Sequence, residues 1–394
     1  MKPNKRLVVC CDGTWQDLDC KYPTNVVKIA QAVKAVASDG VPQIVHYSEG
    51  IGTGPEKFDR WLGGAFGWGI DRRIQNAYRF LCFNYEAGDE IYLFGFSRGA
   101  YTARSLAGFI YKCGLLARPY IRKTKDAYAL YRNRDLSPSK PEAEDFRMRY
   151  AVYPQGSAPG TQIPITLLGC WDTVGKLGVP KTIPLISGRV NEKYQFHDSK
   201  LNPKIQQALH AVAIDEHRSA FEVTHMLPNS VSKDALTHKK QVSEIWFTGT
   251  HGCVGGGTKE NRGLSDITLE WMMDQIKALG LGLEFVGNPN EHLTTYGRNG
   301  EQQQTYVVEE GIEVDPSIQF ADNVKGIFAL AGRIDRSLID KEDRSTQLDQ
   351  HFFKDRIHDS VKERWQLATL DPQYRPKHIM VFKQWFDEIV KKES

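Results

Sequence analysis

The sequence predicts an α/β fold built on a mainly parallel sheet flanked by helices. Two observations carry this expectation. Short, almost unbroken apolar runs recur along the chain, as in strands buried on both faces. Between them lie segments whose apolar residues fall at helical spacing. Alternation of the two patterns is the signature of a sheet with helices on its faces.

Taken in order, Arg6–Cys11 reads as a buried strand ending at Asp12-Gly13-Thr14. Thr24–Ala37 carries Val26, Val27, Ala30, Val33 and Val36 at helical spacing. Gln43–Tyr47 is a second strand, followed by a glycine-rich stretch, Gly50–Gly69, that reads as a shaped loop. Asp71–Tyr85 is helical, with Ile74, Ala77, Tyr78 and Leu81 on one face. Glu90–Phe96 is a third buried strand, and Arg98–Cys113 a helix closed by Gly114. Residues 115–160 are polar, basic and rich in Tyr and Pro; they read as an insertion acting as a lid, with a helix near Asp126–Tyr131. Ile163–Cys170 is a strand leading to Trp171-Asp172-Thr173, and Ile205–Ile214 reads as a helix. Glu244–Thr248 is a strand leading to Gly249-Thr250-His251, and Leu264–Leu279 a helix. Beyond residue 290 the chain is more polar, which sets the expected organisation: a catalytic domain over 1–290 and a C-terminal extension over 291–394 packed on it.

The composition is that of an ordinary globular chain. The 394 residues are 41% hydrophobic and 25% charged, which argues against a disordered or fibrous protein. With 51 basic and 48 acidic residues the net charge is only +3, so no nucleic-acid partner is expected. Seven Cys, with no CxxC pair, read as reduced core thiols of a cytoplasmic protein. The start has no export-type apolar run, since Asp12 interrupts Leu7–Cys11, and nothing approaches the ~20 apolar residues of a membrane span.

Chemistry concentrates at Gly95-Phe96-Ser97-Arg98-Gly99, where an apolar strand gives way to an amphipathic helix. That is the setting of a nucleophile elbow. The sharp turn brings the backbone so close to its neighbours that the positions two before and two after the Ser must be small, and Gly95 and Gly99 meet that need. The helix N-terminus supplies N–H groups suited to developing negative charge, the Arg98 N–H among them. A serine nucleophile needs a base and an acid to orient it. His251 follows a strand and opens a glycine-rich loop, Gly252–Gly257, and is the expected base. His210, His217 and His225 read as core or surface residues in or near a helix. Asp172 is the expected acid, with Asp215, at the end of the Ile205–Ile214 segment, as the alternative; Asp266 fits the first turn of the next helix. A second oxyanion donor is expected from Gly13 or Thr14, on a loop held by Asp12.

Other signals are weaker. Gly252–Lys259 nearly spells a phosphate-binding loop, but Thr258 precedes Lys259 where the pattern needs the reverse order. No HExxH or Cys/His metal spacing occurs, and no cofactor is expected. Ile121–Lys125, basic and flanked by Tyr120 and Tyr128, reads as a solvated face that could also touch lipid headgroups in transient membrane-surface contact.

Together these stretches resemble a known family, the α/β-hydrolase domain that includes the phospholipase effectors of type VI secretion. The resemblance lies in Arg6–Trp15, Gly88–Arg104, Trp171–Gly175, His210–Glu216 and Trp246–His251 with its glycine tail, and, near the C-terminus, in Ile357–Val361 and Tyr374–Pro376. It implies an α/β-hydrolase fold with Ser97 as nucleophile, Asp172 as acid and His251 as base. It also implies a lipid or other ester substrate, signal-independent export, and an immunity or secretion partner. One departure stands out: the family reads His-Ser-Asp-Val-Gly-Gly-Gly where this chain reads His251-Gly252-Cys253-Val254-Gly255-Gly256-Gly257. The expectation is therefore a serine esterase, its rival an inactive or regulatory hydrolase-fold protein that binds a ligand or partner.

Overall fold

The computed structural model describes residues 3–14, 16, 18–50, 65–175, 201–227, 241–286, 292–296, 302–306, 312–325, 332–336, 355–367, 370 and 373–393. The strands are β1 (Arg6–Cys11), β2 (Gln43–Ser48), β3 (Glu90–Phe96), β4 (Leu115–Leu116), β5 (Ala151–Val152), β6 (Ile165–Trp171), β7 (Ile205–Ala213), β8 (Val242–Phe247), β9 (His292–Tyr296) and β10 (Gln302–Tyr306). The α-helices are α1 (Asn25–Ala32), α2 (Ala65–Asn84), α3 (Arg98–Cys113), α4 (Thr124–Arg132), α5 (Pro141–Tyr150), α6 (His251–Gly255), α7 (Arg262–Ala278), α8 (Asp359–Gln366) and α9 (Lys383–Glu393).

Six strands form one parallel sheet in the order β2-β1-β3-β6-β7-β8. This is the expected α/β architecture, and its period-two alternation divides the core. Leu7, Val9, Leu93 and Leu168 face α2 and α3, with Ile74, Leu81, Leu106 and Phe109 packed among them. Val8, Cys10, Tyr92, Phe94 and Leu167 face the other way, toward Val26 and Ile29 of α1 and Ile267 and Met272 of α7. The order reverses between β1 and β3, which opens a crevice beyond their carboxyl ends, where ligands bind in open sheets of this kind. The loops at Asp12 and at Ser97 flank that crevice.

Three departures from the sequence reading have physical causes. Ile205–Ala213 is strand β7, not a helix. Ile205, Ala208, Leu209 and Val212 mimic helical spacing because an interior strand is apolar on both faces, so no alternation marks it. Asp215 accordingly follows a strand. The tail after His251 begins as a short helix, α6, before Gly256 turns the chain at φ 83°. The helix read at Asp71 starts earlier, at Ala65, inside the glycine-rich stretch; positions 51–64 of that stretch lie outside the described residues. Elsewhere Thr24 caps α1 through its hydroxyl, and Gly114 closes α3 at φ 70°. Residues 115–160 hold α4 and also α5, with Ala127, Tyr128 and Tyr131 buried against Phe109 of α3.

The far C-terminal residues pack beside β8. Trp246 and Val212 share a core with Ile357, Val361, Trp365, Tyr374 and Phe386. Trp246 donates its N–H to Arg356 (2.7 Å) and accepts one from His358 (3.0 Å), a parallel bridge along the strand.

Candidate active site

Ser97 follows β3 directly, and its N–H bonds the carbonyl of Trp171, the last residue of β6 (3.0 Å). Its backbone sits at φ 58°, ψ −119°, a strained conformation for a residue with a Cβ, costing about 1–3 kcal/mol. The reason is visible in the packing. The turn into α3 presses Gly99 so closely onto β1 that a Cβ there would lie 2.0 Å from the Cys11 carbonyl oxygen. A Cβ on Gly95 would lie 2.5 Å from the Gly99 carbonyl oxygen. Both predicted glycines are therefore required by sterics. Arg98 opens α3, so its N–H is one of the helix-terminal donors without an intrahelical acceptor.

Asp172 follows β6 at φ 41° and is completely buried. Its Oδ2 accepts from His251 Nδ1 at 2.5 Å, and its Oδ1 accepts the Ala213 N–H at 3.0 Å. His251 opens α6 just after β8, with its own N–H on Glu216 Oε2 (3.2 Å). Its ring lies between Phe96, the residue before Ser97 (4.6 Å between centroids), and the edge-on ring of Phe221 (4.8 Å). With Nδ1 donating to the carboxylate, Nε2 of the neutral ring is left as a proton acceptor. Burial pulls His251 below its ordinary pKa against the opposing effect of Asp172. At Asp172 burial acts to raise the pKa, but the charge of Arg336 and the His251 bond outweigh it and hold the carboxyl well below the usual range.

The sequence reading offered two acids, and the one in contact with His251 is Asp172. Asp215 Oδ2 instead accepts from the Gly249 N–H (2.7 Å) and the Tyr374 hydroxyl (2.8 Å). Asp266 lies in α7 and pairs with Lys28. Asp12 braces its loop as expected: Oδ1 accepts the Gly13 N–H (2.6 Å), and Oδ2 accepts the hydroxyls of Thr24 (2.8 Å) and Tyr47 (2.7 Å). The Gly13 N–H is thus engaged by Asp12. The Thr14 hydroxyl is buried without a hydrogen-bond partner among the described residues. Cys253 is a fully buried core residue, its thiol pushed up to about 11 by burial.

Three charged residues were not singled out from sequence. Arg336 forms a fully buried pair with Asp172. Glu216 holds the His251 N–H and is itself gripped by Arg218. Glu244 accepts from Nδ1 of His210 (2.9 Å), Nδ1 of His225 (2.7 Å) and the Met226 N–H (2.8 Å). His210 in turn accepts the Thr173 N–H (3.0 Å), beside the acid. Arg336 and Glu244 had no local sequence signal, because their partners are distant in the chain, whereas Glu216 closes the His210–Glu216 stretch and is held by nearby Arg218. Among the described residues no His, Cys, Asp and Glu cluster could hold a metal, and no helix is long and apolar enough to cross a membrane.

Chemically, the arrangement pairs a carboxylate with an imidazole whose free nitrogen can take a proton, on the same sheet edge as a hydroxyl held on a strained turn. Comparison with known proteins places this geometry in context. Residues 5–275 match the family described as T6SS, phospholipase effector Tle1-like, catalytic domain. The uncharacterized protein YEL023C of Saccharomyces cerevisiae is 27% identical over 233 residues, covering 55% of this chain and 32% of the yeast protein. The chain thus spans about a third of that relative's length. Among solved structures, an uncharacterized protein from Pseudomonas aeruginosa aligns over 71% of this chain and 46% of its own, at 18% identity and a TM-score of 0.43. The Tle1 effector bound to the VgrG spike of the type 6 secretion system aligns over 65% and 52%, at 18% identity and a TM-score of 0.36. The family match alone takes in more than half of the chain, the elbow, Asp172 and His251 included, and the chain belongs to the Tle1-like phospholipase effector catalytic-domain family.

Proposed function

We propose that the protein is a serine esterase acting on the acyl ester of a phospholipid. His251 Nε2 takes the Ser97 proton as Oγ attacks the acyl carbonyl. The tetrahedral oxyanion is held by the N–H groups of Arg98 and Thr14. Collapse breaks the ester bond, and the alcohol leaves with the proton from His251. Water then attacks the acyl-enzyme, giving its proton to His251, and the acid departs as that proton returns to Ser97. Asp172 fixes the ring with Nδ1 protonated and stabilises the imidazolium of each step. One observation carries this reading: the 2.5 Å bond from His251 Nδ1 to Asp172 on the edge where Ser97 stands at φ 58°. Phospholipid as substrate rests on the family.

A fluorophosphonate probe tests the nucleophile. Covalent labelling of the wild type and its loss in Ser97→Ala is the expected result, with fatty acid released from phospholipid vesicles by the unlabelled wild type and neither by Ser97→Ala nor by wild type once labelled. Ester hydrolysis that persists unchanged in Ser97→Ala would overturn the assignment.

A further inference from the structure

Arg336 lies some sixty residues beyond the part of the chain that matches the catalytic-domain family, yet its guanidinium is completely buried against the acid. Nη1 donates to Asp172 Oδ1 (2.6 Å) and Nη2 to Asp172 Oδ2 (2.9 Å), a two-pronged contact in which a planar cation sets the plane of a carboxylate. Further donors meet the carbonyls of Ala213 (2.8 Å) and Phe221 (2.6 Å), and Phe221 is the residue whose ring edge rests on His251. The segment that delivers Arg336 is tied down alongside: the Ile334 N–H bonds His217 O (2.9 Å) and the Ser219 N–H bonds Gly332 O (3.2 Å).

We propose that Arg336 is a positioning residue that acts on His251 through Asp172, orienting the carboxylate and offsetting its charge, so that the base stays neutral in more acidic medium than an uncompensated Asp–His pair would allow. The inference rests on the serine esterase reading only for its kinetic readout.

The argument is electrostatic. An imidazolium beside a lone buried carboxylate makes a neutral pair, which low dielectric favours. With Arg336 already on that carboxylate, protonating His251 leaves a net positive charge in the buried cluster. The remaining charged groups facing His251 do not alter this balance. Glu216, which accepts the His251 N–H, is matched by the two-pronged grip of Arg218, and the flanking rings of Phe96 and Phe221 are uncharged.

The test compares wild type, Arg336→Lys and Arg336→Met in the pH profile of kcat/KM on a p-nitrophenyl ester, and in the NMR titration of the His251 ring, which needs no turnover. Arg336→Met is expected to lower plateau kcat by about ten- to a hundredfold with little change in KM. The acid limb and the ring titration should both move up by about one unit. Arg336→Lys should recover the position of the limb, because the charge remains, but not the plateau, because the two-pronged contact is lost. A folded Arg336→Met whose limb and ring titration match the wild type would overturn the inference. If Arg336→Met does not fold, Arg336→Lys decides: a plateau equal to wild type overturns it. Absence of fluorophosphonate labelling in the wild type would count against the esterase reading instead, and the ring titration would still decide for Arg336.

Discussion

Ser97 donates its backbone N–H to the carbonyl of Trp171. That single bond joins the residue before Asp172 to Ser97, so the two loops leave neighbouring strands at the same height. The turn at Ser97 and the loop at Asp172 are thereby coupled, and substitutions that disturb the turn should be felt at both.

Gly99→Ala is the sharpest test of that close approach. The added methyl would meet the Cys11 carbonyl oxygen, which cannot move without breaking β1. A loss of stability of at least about 1–3 kcal/mol is expected in urea denaturation, with activity lost in the remaining folded protein. Wild-type stability in this variant would show that α3 does not lie against β1.

Asp172→Asn keeps the shape of the acid but removes its charge. Turnover is expected to fall by about four orders of magnitude, because the ring is no longer held with Nδ1 protonated. Steady-state kinetics on a short ester would check this, with circular dichroism to confirm that the fold persists.

Asp215 should leave a mark on the pH dependence of stability. Burial, only partly opposed by Gly249 and Tyr374, raises its pKa to about 6. Well below the usual carboxyl value the group is protonated in both states and costs nothing. As pH rises from about 4 to about 6, the unfolded chain releases this proton while the folded one retains it, so stability falls, by about 3 kcal/mol in total. Asp215→Asn is expected to abolish this component, as read from urea midpoints on either side of that window.

Glu244 holds two histidines and a backbone N–H, all buried. Glu244→Ala would strip three donors of their acceptor and is expected to cost roughly 3–5 kcal/mol in chemical denaturation. Because His210 also anchors the Thr173 N–H, activity per folded molecule should fall as well.

Cys253 stands two residues after His251 and is completely buried, with polar groups beside its thiol. Its Sγ donates to Asn261 Oδ1 (3.3 Å) and lies 3.4 Å from the Thr250 hydroxyl. With the thiol pushed up to about 11, iodoacetamide at neutral pH should leave Cys253 unmodified in the native protein and alkylate it only after unfolding, as mass spectrometry would report.

Much of this was legible because local rules sufficed. The parallel strands announce themselves by unbroken apolar runs, and the elbow by its two glycines at a strand-to-helix junction. What escaped had no local pattern. β7 is apolar on both faces, and a run such as Ile205–Ile214 satisfies helical and strand templates alike. The choice between Asp172 and Asp215 depended on which carboxylate reaches the His251 ring: Asp215 follows β7, beside β8, yet turns to Gly249 and Tyr374, and spacing does not encode that. Arg336 stands in a short polar stretch with no motif, and only the folded chain brings it against a carboxylate 164 residues earlier.

The bridge between Trp246 and Ile357 has a consequence for the solution behaviour of shortened chains. A version ending at the matched domain would leave the peptide groups of β8 bare along one side, together with the indole of Trp246. Such a margin invites pairing with a second molecule, so trimming the chain to its matched part is expected to promote aggregation.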